Sequence, residues 1–235
     1  MRTGSVILFK NGYCYQSYGW NLFRPLGGLQ NIVSHLDKYL IDDITIIRPV
    51  RDNDSSADFL SDIEELKKLK SSSPISFGGG IRNIDQLHLL SGLPFERFIF
   101  SSILFNENNK LLEVATKLYG KQAIVGLIPF KLKPKLSMFN SEINKFVPLD
   151  KLNRNHLDFC DEIILYDCER EGFHSGFSKE IIDRFKLDPK SCVFSGGVAE
   201  LKNSFKNTSY APKAINIENS VLHREYSILN YYEKL

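Results

Sequence analysis

Short apolar runs recur along this chain, and most are followed by a segment whose apolar residues fall at helical spacing. Ser5-Val6-Ile7-Leu8-Phe9 is the first run, and Lys10-Asn11-Gly12 reads as the turn that ends it. Seven more strands are expected: Ile44–Ile47, the run from Pro74 into Gly78, Arg97–Phe100, Ala123–Ile128, Glu162–Tyr166, Cys192–Phe194 and Ala214–Ile217. Between them Leu29, Ile32, Val33, Leu36 and Leu40 define a helix over 29–40, and Asp58–Leu69 is a charged amphipathic one. Asn83 is placed as the N-cap of the next helix, and Gly120 closes Leu111–Leu118. Helices are also expected over 149–157, 179–185 and 226–235. Tyr13–Asn21 reads as loop or hairpin, and 131–148 as a long excursion with room for a hairpin.

Strands that are apolar on both faces belong to a parallel sheet covered on both sides. Eight of them alternating with helices fit an α/β chain of one domain, residues 1–235, folded as a closed (β/α)8 barrel. Two glycine turns divide it into similar halves of about 1–120 and 121–235. Ser76-Phe77-Gly78-Gly79-Gly80 ends the third strand, and Phe194-Ser195-Gly196-Gly197 ends the seventh.

Composition narrows the function only a little. With 43% hydrophobic and 25% charged residues and a net charge of +2, the chain has no basic stripe for nucleic acid and no apolar run long enough to cross a membrane. The N-terminus has no apolar signal-peptide core, so a cytoplasmic location is expected. Cys14, Cys160, Cys168 and Cys192 lack metal-ligand spacing; reduced thiols, no metal and no cofactor are expected.

The chemistry concentrates in the loops that follow the strands, which a barrel gathers at one face. Gly79 and Gly80 would stand beside Ser101 and Ser102, and Gly196 and Gly197 beside Asn219 and Ser220. Backbone N–H donors at glycine turns, joined to hydroxyls and amides, suit a phosphate. Two such places across one mouth suggest a ligand phosphorylated at both ends, although glycines and serines also serve tight turns that bind nothing.

Phe9-Lys10-Asn11-Gly12, Ser76-Phe77-Gly78-Gly79-Gly80-Ile81, Glu169-Arg170-Glu171-Gly172-Phe173-His174-Ser175-Gly176, Phe194-Ser195-Gly196-Gly197 and Asn219-Ser220-Val221 together give a resemblance. The chain resembles the histidine-biosynthesis barrels, nearer to the cyclase subunit of imidazole glycerol phosphate synthase than to the related isomerase. That likeness implies one phosphate on Gly80, Ser101 and Ser102, and the other on Gly172, Gly197, Asn219 and Ser220. It also implies an aspartate at the end of strands one and five, where this chain has Leu8 and Pro129. Neither transfers a proton. Lys10, Arg48, Lys131 and Glu171 are the replacements within reach of the mouth, with Glu171 preferred as the catalytic carboxylate, Lys10 as a second group and His174 as an assistant.

By the same resemblance Arg2, Asp43, Arg97 and Glu162 match a ring of charges at the barrel floor, where ammonia enters from a docked glutaminase. Four unrelated charges at strand starts are the plainer alternative. A floor ring kept without the two aspartates implies an ammonia-using reaction other than histidine synthesis, and cyclase-like proteins of this type resemble those linked to sugar amidation for surface polysaccharides. Two other expectations stay open: a stand-alone isomerase or lyase on a bisphosphorylated, ribose-derived substrate, and a silent barrel that binds phosphorylated metabolites.

Overall fold

The computed structural model describes residues 1–50, 54–173, 175–198 and 209–222. Eight parallel strands close into a barrel: β1 (Arg2–Lys10), β4 (Asp43–Ile47), β5 (Ile75–Gly78), β6 (Arg97–Phe100), β7 (Ile124–Lys131), β10 (Glu162–Asp167), β11 (Cys192–Ser195) and β12 (Ala214–Ile217). Neighbours pair in that order, and β12 returns to β1 while β7 pairs with β10. Every expected strand is present.

The two faces of each strand meet different cores. Val6, Leu8, Ile47, Ile99, Val125, Leu127, Ile164, Tyr166 and Val193 pack inside the barrel, while Ile7, Phe9, Ile44, Ile46, Phe77, Phe98 and Phe194 pack outward under the helices. The period of two therefore decides which residues can reach the barrel axis. Arg2, Asp43, Arg97 and Glu162 open the inward series at the floor, and Tyr166 and Glu218 continue it at the mouth.

The helices that cover the barrel follow their apolar stripes: α1 (Leu29–Asp37), α2 (Ser56–Leu66), α3 (Ile84–Leu89), α4 (Lys110–Tyr119), α5 (Ile181–Phe185) and the short α6 (Asn219–Leu222). Ser55 and Asp58 form a capping box at α2, and Asn83 accepts from the Gln86 N–H as N-cap of α3. α1 stops at Asp37, three residues before the expected end, and α5 starts at Ile181. Over 149–157 the expected helix is replaced by 3-10 turns at Leu149–Lys151 and Arg154–Phe159. Asn153 is the cause: its backbone N–H goes to Leu104 and its side chain caps Asn155, so no α-ladder runs through it. The expected helix at 226–235 and His223 lie outside the described residues.

Strands one and five each run on into a hairpin. β1 turns through Asn11-Gly12, both at positive φ, into β2 (Tyr13–Tyr18) and then β3 (Leu22–Gly27). This two-residue turn matches the twist of the strands that it joins. β7 pairs antiparallel with β8 (Ser137–Asn140), which pairs with β9 (Lys145–Pro148). Cys14, Cys160, Cys168 and Cys192 are buried, and no disulfide joins cysteines among the described residues. Among the described residues no helix is long and apolar enough to cross a membrane.

Candidate functional site

The two hairpins rise from opposite strands and meet over the barrel mouth. Trp20, in the β2–β3 turn, packs edge-on against Phe139 of β8 at 5.6 Å and against Tyr166 of β10 at 5.1 Å. Phe146 packs edge-on behind Phe139, with the Lys131 ammonium 4.4 Å from the Phe146 ring centre. The cavity left beneath is about 50 Å³, and Trp20, Phe139, Pro129, Leu127 and Ile99 wall one side of it. That is space for a few waters. Leu8 and Pro129 lie in the strands that carry the hairpins, and Leu8 is buried against the barrel interior.

The loop after β10 ties both hairpins down. Glu169 Oε2 accepts from the backbone N–H of Leu132 (2.6 Å) and Lys133 (3.1 Å), at the base of the second hairpin. Glu171 Oε2 accepts from the Trp20 N–H at 2.5 Å, and the Glu171 carbonyl from Gly19 at 3.0 Å. The motif that carried the sequence resemblance here holds loops together. His174 lies outside the described residues.

On one side of the mouth stands a cation. Arg48, at the end of β4, is 1% exposed; its Nε donates to Asp62 at 2.7 Å and its Nη2 to Asp54 at 2.8 Å, over the Phe59 ring. Lys10 reaches Asp54 at 3.7 Å, and Asp62 also accepts from the Gly12 N–H. Gly79 packs on Arg48: a Cβ there would lie 2.1 Å from the Arg48 carbonyl oxygen, and φ is +98°. Gly79, Gly80, Ser101 and Ser102 do line the cavity together, with Arg82 at its rim. At the start of α3, Asn83 takes the Gln86 N–H and Gln86 takes the Arg82 N–H, both at 2.8 Å.

On the other side the charges are acidic. Tyr166 and Glu171 are each 1% exposed, and the Tyr166 hydroxyl donates to Glu171 Oε1 at 2.9 Å. Glu218, just beyond β12, accepts from Ser195 Oγ at 2.9 Å and lies near Tyr166 and Gly196. Burial and then the charge of Glu171 push the Glu218 carboxyl up to about 8. Gly196 has no room for a side chain, because a Cβ would lie 2.4 Å from the Asp167 carbonyl oxygen. Asp167 is itself raised, first by burial, against the pull of the Ser178 hydroxyl and the Arg170 and Glu169 amides.

The Gly196 N–H lies beside the Glu218 carboxyl, so a phosphate on Gly196 would share that place with Glu218. Gly172 and Gly197 are turn residues at positive φ beside this cluster, and Asn219 and Ser220 open α6. Lys10 and Glu171 fall into separate clusters, the former with Asp54 and the latter with Tyr166 and Trp20. Sequence reasoning missed Glu218 and Tyr166 as a unit. The alternation that turns Ala214 and Glu162 inward continues to Glu218 and Tyr166, and was the signal available.

At the floor, Arg2 makes a two-pronged pair with Glu162 at 2.8 and 2.6 Å, and Arg97 donates to Asp43 at 3.1 Å. Arg2 also approaches Asp43 at 3.9 Å, and Ser76 donates to that carboxylate. The four expected residues are thus in mutual contact. A fifth charge joins them: Lys213, before β12, bonds Asp161 at 2.7 Å and Glu162 at 3.1 Å. Burial opposes ionisation of Glu162, yet Arg2, Arg97 and Lys213 hold it below the usual range. Burial outweighs Arg97 and Arg2 at Asp43 and pushes it up to about 6.

A Leptospira interrogans protein provisionally named imidazole glycerol phosphate synthase subunit HisF is 25% identical over 187 residues, 77% of this chain and 73% of the relative. An imidazole-4-carboxamide isomerase of Buchnera aphidicola, whose full name gives its substrate two phosphoribosyl groups, is 26% identical over 243 aligned positions, 95% of this chain and 91% of the relative. The family model described as "Histidine biosynthesis protein" matches residues 51–225. The match spans most of the chain, from the segment after β4 past β12, and the chain belongs to the histidine biosynthesis protein family.

Proposed function

We propose that this barrel is the synthase subunit of a glutamine amidotransferase pair, taking ammonia through its floor from a glutaminase docked on the N-terminal face. The acceptor at the mouth is a phosphorylated or nucleotide-linked sugar. The observation that carries the reading is the floor ring of Arg2, Glu162, Asp43 and Arg97. These charges close the barrel end through side chains alone, so a docked partner can repair them without moving a strand. Gly79, Gly80, Ser101 and Ser102 around the cavity, with Arg82 at the rim, support a phosphate on that side. Gly172, Gly197, Asn219 and Ser220 are the second phosphate's place in this reading, reached once the Glu218 carboxyl is displaced or neutral.

Leu8 and Pro129 take acid–base work away from the ends of strands one and five, which favours amidation of a sugar, as in surface polysaccharide synthesis, over the histidine pathway itself. A second reading is a stand-alone isomerase or lyase on a bisphosphorylated substrate. The near-complete alignment with the Buchnera isomerase favours it. A barrel that binds phosphorylated metabolites without turning them over is the third, supported by the same two apolar residues. Co-purification with a glutaminase subunit, with glutamine hydrolysis measured alone and together, tests the first reading. A complex with several-fold stimulated hydrolysis is expected; neither complex nor stimulation overturns it.

A further inference from the structure

The segment 149–157, which breaks into 3-10 turns instead of forming a helix, bonds to the loop that follows β6. That loop carries Ser101 and Ser102 to the cavity and continues as the 3-10 turn Ser102–Phe105. Three of its carbonyls are held by two residues about fifty positions away. Leu104 accepts from the Asn153 backbone N–H at 2.8 Å, Asn106 from Asn153 Nδ2 at 3.1 Å, and Ile103 from His156 Nδ1 at 2.8 Å. Asn153 Nδ2 also meets His156 Nε2 at 3.1 Å, which joins the two into one clamp.

The direction of each bond follows from its partners. A carbonyl only accepts, so His156 carries its proton on Nδ1 and leaves Nε2 to accept from Asn153. The Asn153 amide nitrogen gives its two protons to Asn106 and His156, and its oxygen accepts from the Asn155 N–H at 3.2 Å. Turned over, the same amide would lose all three bonds. His156 is 2% exposed, so this single tautomer and single amide orientation are set by protein groups and not by solvent. The loop has little of its own to fix it: within it Leu104 N–H donates to Ser101 and Asn106 N–H to Ile103, the bonds of one short turn. An α-helix over 149–157 would direct the Asn153 N–H to Leu149 instead of Leu104. The broken helix is thus what frees this donor for the loop.

We propose that Asn153 and His156 are positioning residues of the cavity wall: they fix the backbone of 101–106 so that Ser101 and Ser102 stand with Gly79 and Gly80 as donors to a phosphate. The phosphate rests on the proposed function, whereas the clamp does not. Neither residue lines the cavity, so each acts only through the loop that it holds.

The test follows backbone amide signals of the full 15N-labelled chain by NMR, first alone and then with inorganic phosphate as the probe. In H156A and N153A the Ser101 and Ser102 signals should move, and the Leu104 and Asn106 amide hydrogens should exchange about tenfold faster, as for the loss of roughly one hydrogen bond. Gly196 and Gly197 signals should stay in place. H156N sets an amide nitrogen where Nδ1 stands and should restore the signals and the exchange. Phosphate affinity read at Ser101 and Ser102 should fall about tenfold in H156A and less than about twofold in H156N. The proposal is overturned if the loop signals and exchange are unchanged in both H156A and N153A, if they move while phosphate affinity does not, or if H156N behaves as H156A throughout. No phosphate-dependent shift in the unsubstituted chain would overturn the phosphate reading by itself, and the signals without phosphate would still decide the clamp. Circular dichroism reports the folding of each variant, and N153A supplies the comparison with H156N should H156A fail to fold.

Discussion

The two sides of the barrel mouth use the same backbone device with opposite charge. On each, a glycine after one strand lies against the end of the preceding strand with no room for a Cβ: Gly79 on Arg48, Gly196 on Asp167. Around Arg48 the buried charges attract, one guanidinium between two carboxylates. Around Tyr166 they repel, the Glu171 and Glu218 carboxyls standing near one another. An attractive cluster resists change and suits a fixed binding wall. A repulsive one stores protonation energy, and that is what acid–base chemistry requires.

Removing charge should therefore act in opposite senses. Arg48→Met leaves Asp54 and Asp62 buried without their cation, and urea unfolding should register a loss of about 3–5 kcal/mol; a loss under about 1 kcal/mol would remove the contrast. For Glu218 the sign follows from its raised pKa. The folded chain holds the proton that the unfolded chain releases, so stability declines as pH rises from the ordinary Glu range through about 8. Unfolding midpoints of E218Q should lack that decline, and an unchanged slope would place the repulsion elsewhere.

Gly79→Ala and Gly196→Ala sharpen the common part of the comparison. Each should cost about 2–3 kcal/mol through positive φ and contact with backbone that cannot yield. Inorganic phosphate then separates the sides. Binding followed by chemical-shift perturbation at neutral pH should weaken about tenfold in a Ser101→Ala/Ser102→Ala double variant, and much less in Asn219→Ala; the reverse order would exchange the two roles. The smallest effect is expected far below, where Lys213→Ala removes a half-exposed partner of Glu162 and should cost under about 1 kcal/mol in thermal unfolding at physiological salt.

How much of this was legible depends on burial. The eight barrel strands were readable because both their faces are covered, leaving continuous apolar runs such as Ile44–Ile47 and Ala214–Ile217. The hairpin at Asn11-Gly12 was visible as a turn, but its meeting with Phe139 was not, since contact between residues 20 and 139 has no local signature. Arg2, Asp43, Arg97 and Glu162 could be grouped because each starts a strand. Glu218 could not be singled out: it is one of 28 acids, and only the inward register of β12 distinguishes it. Glu171 was found, though its contacts make it a support for Trp20 and Tyr166 more than a group that meets substrate.

The four buried cysteines have a practical consequence. Burial pushes the thiols of Cys14, Cys160 and Cys192 up to about 12, and Cys168 is sealed beneath the Tyr166 carbonyl. Alkylating reagents attack the thiolate, so the folded chain should be nearly inert to them. Cys14 reports on the first hairpin, Cys160 on the floor end of β10, Cys168 on its mouth end, and Cys192 on the start of β11. The order in which iodoacetamide marks them in the unmodified protein would map which part of the barrel opens first, without introducing a probe.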